Sequence, residues 1–155
     1  MAVIILADDG ISFDGQTPEK GPLGGAESSV IQLVETLAAR GHDVTVYNKC
    51  AAALDYKGVK WRPISDGVPE TADLYIANRG DKLLRLCENA ENTVFWTHNP
   101  CRYMLKARYL WQFWRRKPVI VFIGDYHATT LPAWVPDGGR RTIPYGLPDL
   151  FCEAE

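Results

Sequence analysis

The sequence has no pair of cysteines close enough to build a metal knuckle or a redox motif. Its four cysteines, Cys50, Cys87, Cys101 and Cys152, are scattered along 155 residues. No C-x-x-C pair is present, which removes thioredoxin-type redox chemistry and zinc knuckles from consideration. Thiols spread in this way read as reduced cysteines in a reducing, cytoplasmic setting. Long hydrophobic runs are also missing. The apolar stretch Ala2–Ala7 has no basic leader and runs straight into Asp8-Asp9, so neither a secretory leader nor a membrane span is expected. Charge of one sign is not in excess. Lys and Arg total 17 against 19 Asp and Glu, a net charge of −2, so no nucleic-acid partner is expected. Histidines number three and none stands at metal-ligand spacing. No metal and no cofactor is expected.

What is present fits one domain, 1–155. The length is enough to bury a sizeable core without disulfides, and aromatics at 11% with charge at 23% exclude a disordered polymer. Strand and helix patterns alternate. Ala2–Ala7 is an apolar run of strand length, as for a strand buried on both faces. Residues 9–25 form a long loop with five glycines and two prolines. Ala26–Arg40 repeats apolar residues with helical spacing at Val30, Val34, Leu37 and Ala38, and Gly41 stands where a helix-ending glycine belongs. Asp43–Asn48 is a second strand. Further on, strands are expected at Val59–Ile64, Asp73–Asn78, Asn92–Thr97, Pro118–Ile123 and Arg140–Pro144, with helices at Asp81–Ala90 and Tyr103–Arg116. Such alternation predicts an α/β fold, an open parallel sheet with helices on both faces.

Three stretches carry candidate chemistry. Gly24, Gly25 and Glu27 lie between the first strand and the first helix, where open α/β sheets bind ligands. Glycines let backbone amides approach a phosphate, and a helix start adds unpaired N–H groups and a positive dipole end. Glu27 suits that dipole and is also placed to bind a sugar hydroxyl. The spacing matches neither G-x-G-x-x-G nor a P-loop, so dinucleotide binding and ATP hydrolysis are poorly supported. The same residues also serve a plain tight turn. His98 and Asn99 follow a strand end on the same rim, with Pro100 restricting Asn99. They suit sugar binding or proton transfer, or the simple capping of a loop. The segment Arg102–Lys117 mixes six basic residues with Tyr103, Tyr109, Trp111, Phe113 and Trp114. It reads either as a helix for an anionic membrane surface or as a core helix with a solvated basic face. Residues 98–124 hold six basic side chains and no acidic one, whereas 1–97 hold nine basic and fourteen acidic. His42 is expected to cap the turn after Gly41, and His127 to sit in a solvated loop.

In order and spacing these motifs resemble the N-terminal half of family 4 glycosyltransferases. The resemblance is carried by Gly24-Gly25-Ala26-Glu27, by Leu37-Ala38-Ala39-Arg40-Gly41-His42-Asp43-Val44-Thr45-Val46, by His98 after a strand, and by Ile143-Pro144-Tyr145-Gly146-Leu147-Pro148-Asp149-Leu150-Phe151. It spans nearly the whole chain. It implies a Rossmann-like domain, one half of a GT-B architecture, in an enzyme that transfers a sugar from a nucleotide-sugar donor to a glycan or lipid-linked acceptor with retention. It implies that Gly24 and Gly25 face the donor phosphates and that His98 is the catalytic residue beside the donor sugar. Tyr145 departs from the family's usual asparagine. In the long loop, Phe13 and Gln16 are expected acceptor contacts. The family's donor-binding domain and its Glu-x7-Glu motif are not in this sequence, so the chain alone is expected not to turn over. The alternative is a stand-alone Rossmann-like module that binds a nucleotide, a sugar or a protein without catalysis. On the membrane reading of Arg102–Lys117, as against the core-helix one, a peripheral contact with the inner membrane surface is expected.

Overall fold

The structure is a computed structural model and describes residues 1–146. It is an α/β fold, Rossmann-like, built on one open eight-stranded sheet. The strands are β1 Val3–Asp8, β2 Asp43–Asn48, β3 Leu54–Tyr56, β4 Val59–Pro63, β5 Leu74–Asn78, β6 Asn92–Trp96, β7 Val119–Phe122 and β8 Gly139–Thr142. Their order is β3-β4-β2-β1-β5-β6-β7-β8. Every pairing is parallel except the β3–β4 hairpin. The helices are α1 Thr17–Lys20, α2 Gly25–Ala39, α3 Ala107–Arg116 and α4 Asp125–Thr129. Short 3-10 turns cover Ile64–Asp66, Lys82–Arg85 and Cys101–Leu105.

β1 sits in the middle because its run of apolar, partly β-branched residues has no polar face to offer water. Ile4 through Asp8 are all buried. Successive side chains point to opposite faces, and this splits the core in two. Ile4, Leu6, Val44 and Val46 pack with Val30, Ile31 and Val34 of α2. Ile5, Ala7, Phe95, Ile120 and Phe122 pack with Tyr109 and Phe113 of α3. Helices therefore cover both faces. Val30 and Val34 are 0% exposed, and burying each contributes roughly 1.5–3 kcal/mol.

The expected end of the first helix is built as predicted. Gly41 takes φ +85, its N–H reaches the carbonyl of Ala38, and that of His42 reaches Leu37. That is a Schellman cap, and an L side chain at Gly41 would be strained. His42 then accepts the Ala2 N–H on Nδ1 at 3.3 Å, tying the turn to the start of β1.

Several elements differ from the sequence reading. Asp81–Ala90 is not a helix. It holds only the 3-10 turn, because the amides of Asn89 and Glu91 bond to the carbonyls of Glu70 and Ala72 and draw the chain across the sheet's end. The expected helix Tyr103–Arg116 breaks at Lys106, which is extended at φ −74, ψ 142. Here Tyr103 turns its hydroxyl to Thr97 Oγ1 at 2.7 Å and Cys101 N–H is held by Thr130 at 2.9 Å, so the first turn cannot stay in line with α3. The loop 9–25 contains α1. β3 and α4 are additions, and β3 joins β4 through Lys57 and Gly58, both at positive φ, the twist a two-residue hairpin requires. β8 is shorter than Arg140–Pro144. Arg140 donates to the carbonyls of Leu131, Pro132 and Val135 and pairs with Asp137 at 2.7 Å, which pins the preceding loop.

Cys50, Cys87 and Cys101 are free and buried, and burial raises each thiol pKa. Cys152 lies outside the described residues. No helix among the described residues is long and apolar enough to cross a membrane.

Candidate functional site

The carboxyl ends of β1, β5 and β6 meet at one rim, and each ends in a polar residue or is followed at once by one. Asp8 closes β1 and Asn78 closes β5, at 0% and 1% exposure. Thr97 and His98 follow β6. A buried carboxylate needs partners, and Asp8 has three: the Gly10 N–H at 2.7 Å, the Asn78 side-chain amide, and Arg79 Nη2 at 3.0 Å. The same Nη2 lies 3.0 Å from Oε1 of Glu27. One guanidinium thus bridges the end of β1 to the first turn of α2. Burial opposes the charge on Arg79, but Asp8 and Glu27 outweigh it and raise its pKa.

Arg79 reaches this position through an unusual backbone. Its φ is +71, and the Gly80 N–H closes back on the Asn78 carbonyl at 2.9 Å. A three-residue turn with positive φ at its centre is strained for a non-glycine residue. Tyr109 of α3 steadies it by donating to the Arg79 carbonyl at 3.3 Å.

His98 joins the same network from the other side. Its Nε2 lies 2.7 Å from Asn78 Oδ1. The Asn78 amide already donates to Asp8, so its oxygen accepts, and Nε2 of His98 carries the proton. Nδ1 is then the acceptor, and the Tyr145 hydroxyl donates to it. The Tyr145 ring stacks on His98 at 5.7 Å and Trp96 packs against it at 4.5 Å. Burial, then the charge of Arg79, lowers the His98 pKa to about 4. The imidazole is therefore neutral near pH 7, with both nitrogens engaged.

The glycines play unequal parts. Gly24 caps α2 with ordinary extended angles, φ −64 and ψ 153. Its need is spatial, since a Cβ there would run into Oε2 of Glu27. Around Gly25 nothing lies within 4 Å of a Cβ. The first helical bond runs from Ser28 N–H to the Gly24 carbonyl at 2.9 Å, so the amides of Gly25, Ala26 and Glu27 have no acceptor within the helix. Amides without a helical acceptor, and open space beside the exposed Gly25, therefore adjoin the charged network.

Of the expected site residues, Glu27 and His98 are brought together by way of Arg79, Asp8 and Asn78, with Gly24 against Glu27 and Gly25 next to it. Phe13 is a correction. It is 2% exposed and packs edge-on against Trp61 at 5.8 Å, so the core and not an acceptor holds it. Gln16 stands before α1, half-buried. Asn99 has an exposed side chain, and its fixed part is the carbonyl, which accepts from His127 Nε2 at 2.6 Å and Thr97 Oγ1 at 3.3 Å. His127 is a second correction. It is buried at 8% exposure in α4, where Nδ1 takes the Ile123 N–H at 3.3 Å. Sequence reasoning missed Asp8, Asn78 and Arg79 as members of the site. The signal available was that each apolar strand run ends in a polar residue. The motif running from Ile143 to Phe151 is described only as far as Gly146.

Tyr145 also borders a cavity of about 720 Å³ on the α2 side of the sheet, floored by Ile76, Val94, Trp96 and Val121 and walled by Leu33 and Leu37. Among the described residues, no group of three His, Cys, Asp or Glu is placed to hold a metal ion. The rim brings together the carboxylates of Asp8 and Glu27, the Arg79 guanidinium, a neutral imidazole and the Tyr145 phenol, with the Asp9 carboxylate against Gly80. It suits hydroxyl-rich ligands through its carboxylates and an anion through the α2 amides. Comparison with protein-family models, with curated proteins and with solved structures finds no match.

Proposed function

We propose that this rim is the acceptor-side half of a sugar-transfer site, in a protein of the retaining GT-B glycosyltransferase type that uses a nucleotide-sugar donor. One observation carries the reading: the unpaired amides and open space at Gly25 adjoin a buried network that ends in a neutral histidine. Amides at a helix start attract a diphosphate, while Asp8 and Glu27 repel an anion that settles on the carboxylates themselves. The donor phosphates therefore belong on the open Gly25 side of the helix start, with Gly24 backing Glu27. The sugar hydroxyls belong at Glu27 and His98. Glu27 keeps Oε2 for a hydroxyl donor while Oε1 holds Arg79. His98 offers Nδ1 to a sugar hydroxyl once Tyr145 withdraws, and Asn78 keeps the ring in the tautomer that makes Nδ1 the acceptor. The acceptor, a glycan or a lipid-linked glycan, approaches along the loop between β1 and α2.

A second reading is a binding module without catalysis. The occupation of both His98 nitrogens favours it, because neither ring nitrogen is free to take a proton in the resting fold.

The test is calorimetric binding of a panel of nucleoside diphosphate sugars to this chain, repeated with Gly25→Ala and His98→Ala. Each variant is expected to weaken binding about tenfold, His98→Ala by removing one ligand hydrogen bond and Gly25→Ala by placing a methyl group where the phosphate would approach the amides. Binding as tight as the parent's in both variants, or no sugar-nucleotide binding even when the chain is supplied with a donor-binding domain, overturns the sugar-nucleotide assignment. An assay for transfer with retention, followed by NMR at the anomeric carbon with the chain supplied with a donor-binding domain, separates the enzyme from the binding module.

A further inference from the structure

We propose that the solvent face of α3 is a docking surface for an anionic lipid bilayer. The helix is two-sided. Tyr109, Gln112 and Phe113 face the core, and Arg108, Trp111, Trp114 and Arg115 form the outward stripe. Trp111 and Trp114 are 56% and 59% exposed, with ring centres 5.3 Å apart and planes inclined by 30°. Among the described residues, nothing covers them. Paired indoles of this kind settle at the headgroup level of a bilayer, because the ring is apolar and its N–H is not.

The helix and the segments that flank it in sequence carry charge of one sign. Residues 98–124 carry six basic side chains and no acidic one. Two of the six are engaged, Arg116 with Glu88 at 2.7 Å and Arg108 with Asp81 at 3.5 Å. Arg102, Lys106, Arg115 and Lys117 are exposed and form no ion pair among the described residues. The acidic excess lies elsewhere in the chain, so a negative surface attracts this face and repels the rest. Single-stranded nucleic acid fits less well. Base stacking needs a free aromatic face, and each of these indoles leans on the other.

The surface stands independently of the sugar-transfer reading. If both hold, the Tyr109 bond to Arg79 keeps the candidate site close to the bilayer, and the acceptor is membrane-borne.

The experiment is flotation of this chain with vesicles of phosphatidylcholine alone or mixed with phosphatidylglycerol, at low and at high salt. Co-flotation is expected only with the anionic vesicles, falling about tenfold at high salt as the basic rim is screened. Trp111→Ser/Trp114→Ser is expected to lose co-flotation, and Arg102→Ser/Arg115→Ser to weaken it, each with an unchanged circular dichroism spectrum. The proposal is overturned if the chain does not float with anionic vesicles, or floats equally with neutral ones. It is also overturned if the double tryptophan variant floats as well as the parent, or if the surface holds single-stranded RNA in place of vesicles.

Discussion

His98 and His127 follow neighbouring strands on the same edge of the sheet, and each has both ring nitrogens engaged. The partners differ in kind. His127 is held by the backbone, the Asn99 carbonyl and the Ile123 amide. His98 is held by side chains, Asn78 and Tyr145, and through Asn78 it touches the Asp8–Arg79–Glu27 charges. A ring fixed between two backbone groups is a staple, since changing partners means moving the chain. A ring held by a tyrosine hydroxyl can exchange it for another hydroxyl while the backbone stays still. The contrast separates the fastener from the candidate site without appeal to any relative.

The comparison is broken most forcefully at Arg79. Arg79→Met leaves Asp8 fully buried without its cation, and the expected loss is about 3–5 kcal/mol in urea unfolding. Adding Asp8→Asn should restore a good part of it. Next comes pH. The His98 pKa falls from 6.5 to about 4 on folding, so between those values the unfolded chain takes up the proton first. The His98 contribution is therefore complete above pH 6.5 and is lost as pH falls toward 4, about 3 kcal/mol in all. Urea midpoints at pH 7 and pH 4.5 should differ more in the parent than in His98→Gln, and equal slopes would refute the buried neutral ring. His127→Ala strands the Ile123 amide and leaves the Asn99 carbonyl only its long bond from Thr97. It should cost about 2–3 kcal/mol while sugar-nucleotide binding, measured at full folding, changes little. The glycines give the smallest effects and the sharpest contrast. Gly24→Ala pushes Glu27 from Arg79 and should cost about 1–2 kcal/mol. Gly25→Ala meets open space and should leave stability unchanged or raise it by up to about 1 kcal/mol, yet weaken ligand binding.

Much of the sheet was legible because periodicity reports burial. The apolar runs of β1, β2, β5, β6 and β7 fall within two residues of where the sequence places them, and Gly41 marks the helix end. Elements set by distant partners were not legible. The stretch after Gly80 has the leucines of a helix, but Glu70 and Ala72 take its amides. β3 depends on a Lys57-Gly58 turn whose lysine carries no strong signal for positive φ. At the site, Gly24, Gly25, Glu27 and His98 stand in motifs and could be read. Asp8, Asn78 and Arg79 could not be assembled, because a salt bridge over 71 positions exists only once β1 and β5 are side by side. Phe13 misled for a related reason. An aromatic residue in a glycine-rich loop reads as exposed until Trp61 from β4 closes over it.

The Tyr145 hydroxyl bears on how any affinity for this site should be interpreted. A molecule that engages Nδ1 of His98 must first evict the phenol, so only the fraction of protein with the tyrosine already swung away is competent to receive it. The dissociation constant read from a titration is then the intrinsic one divided by that fraction. Modest measured binding and close complementarity are compatible here, and deleting one oxygen, as in Tyr145→Phe, tightens the complex without adding a contact.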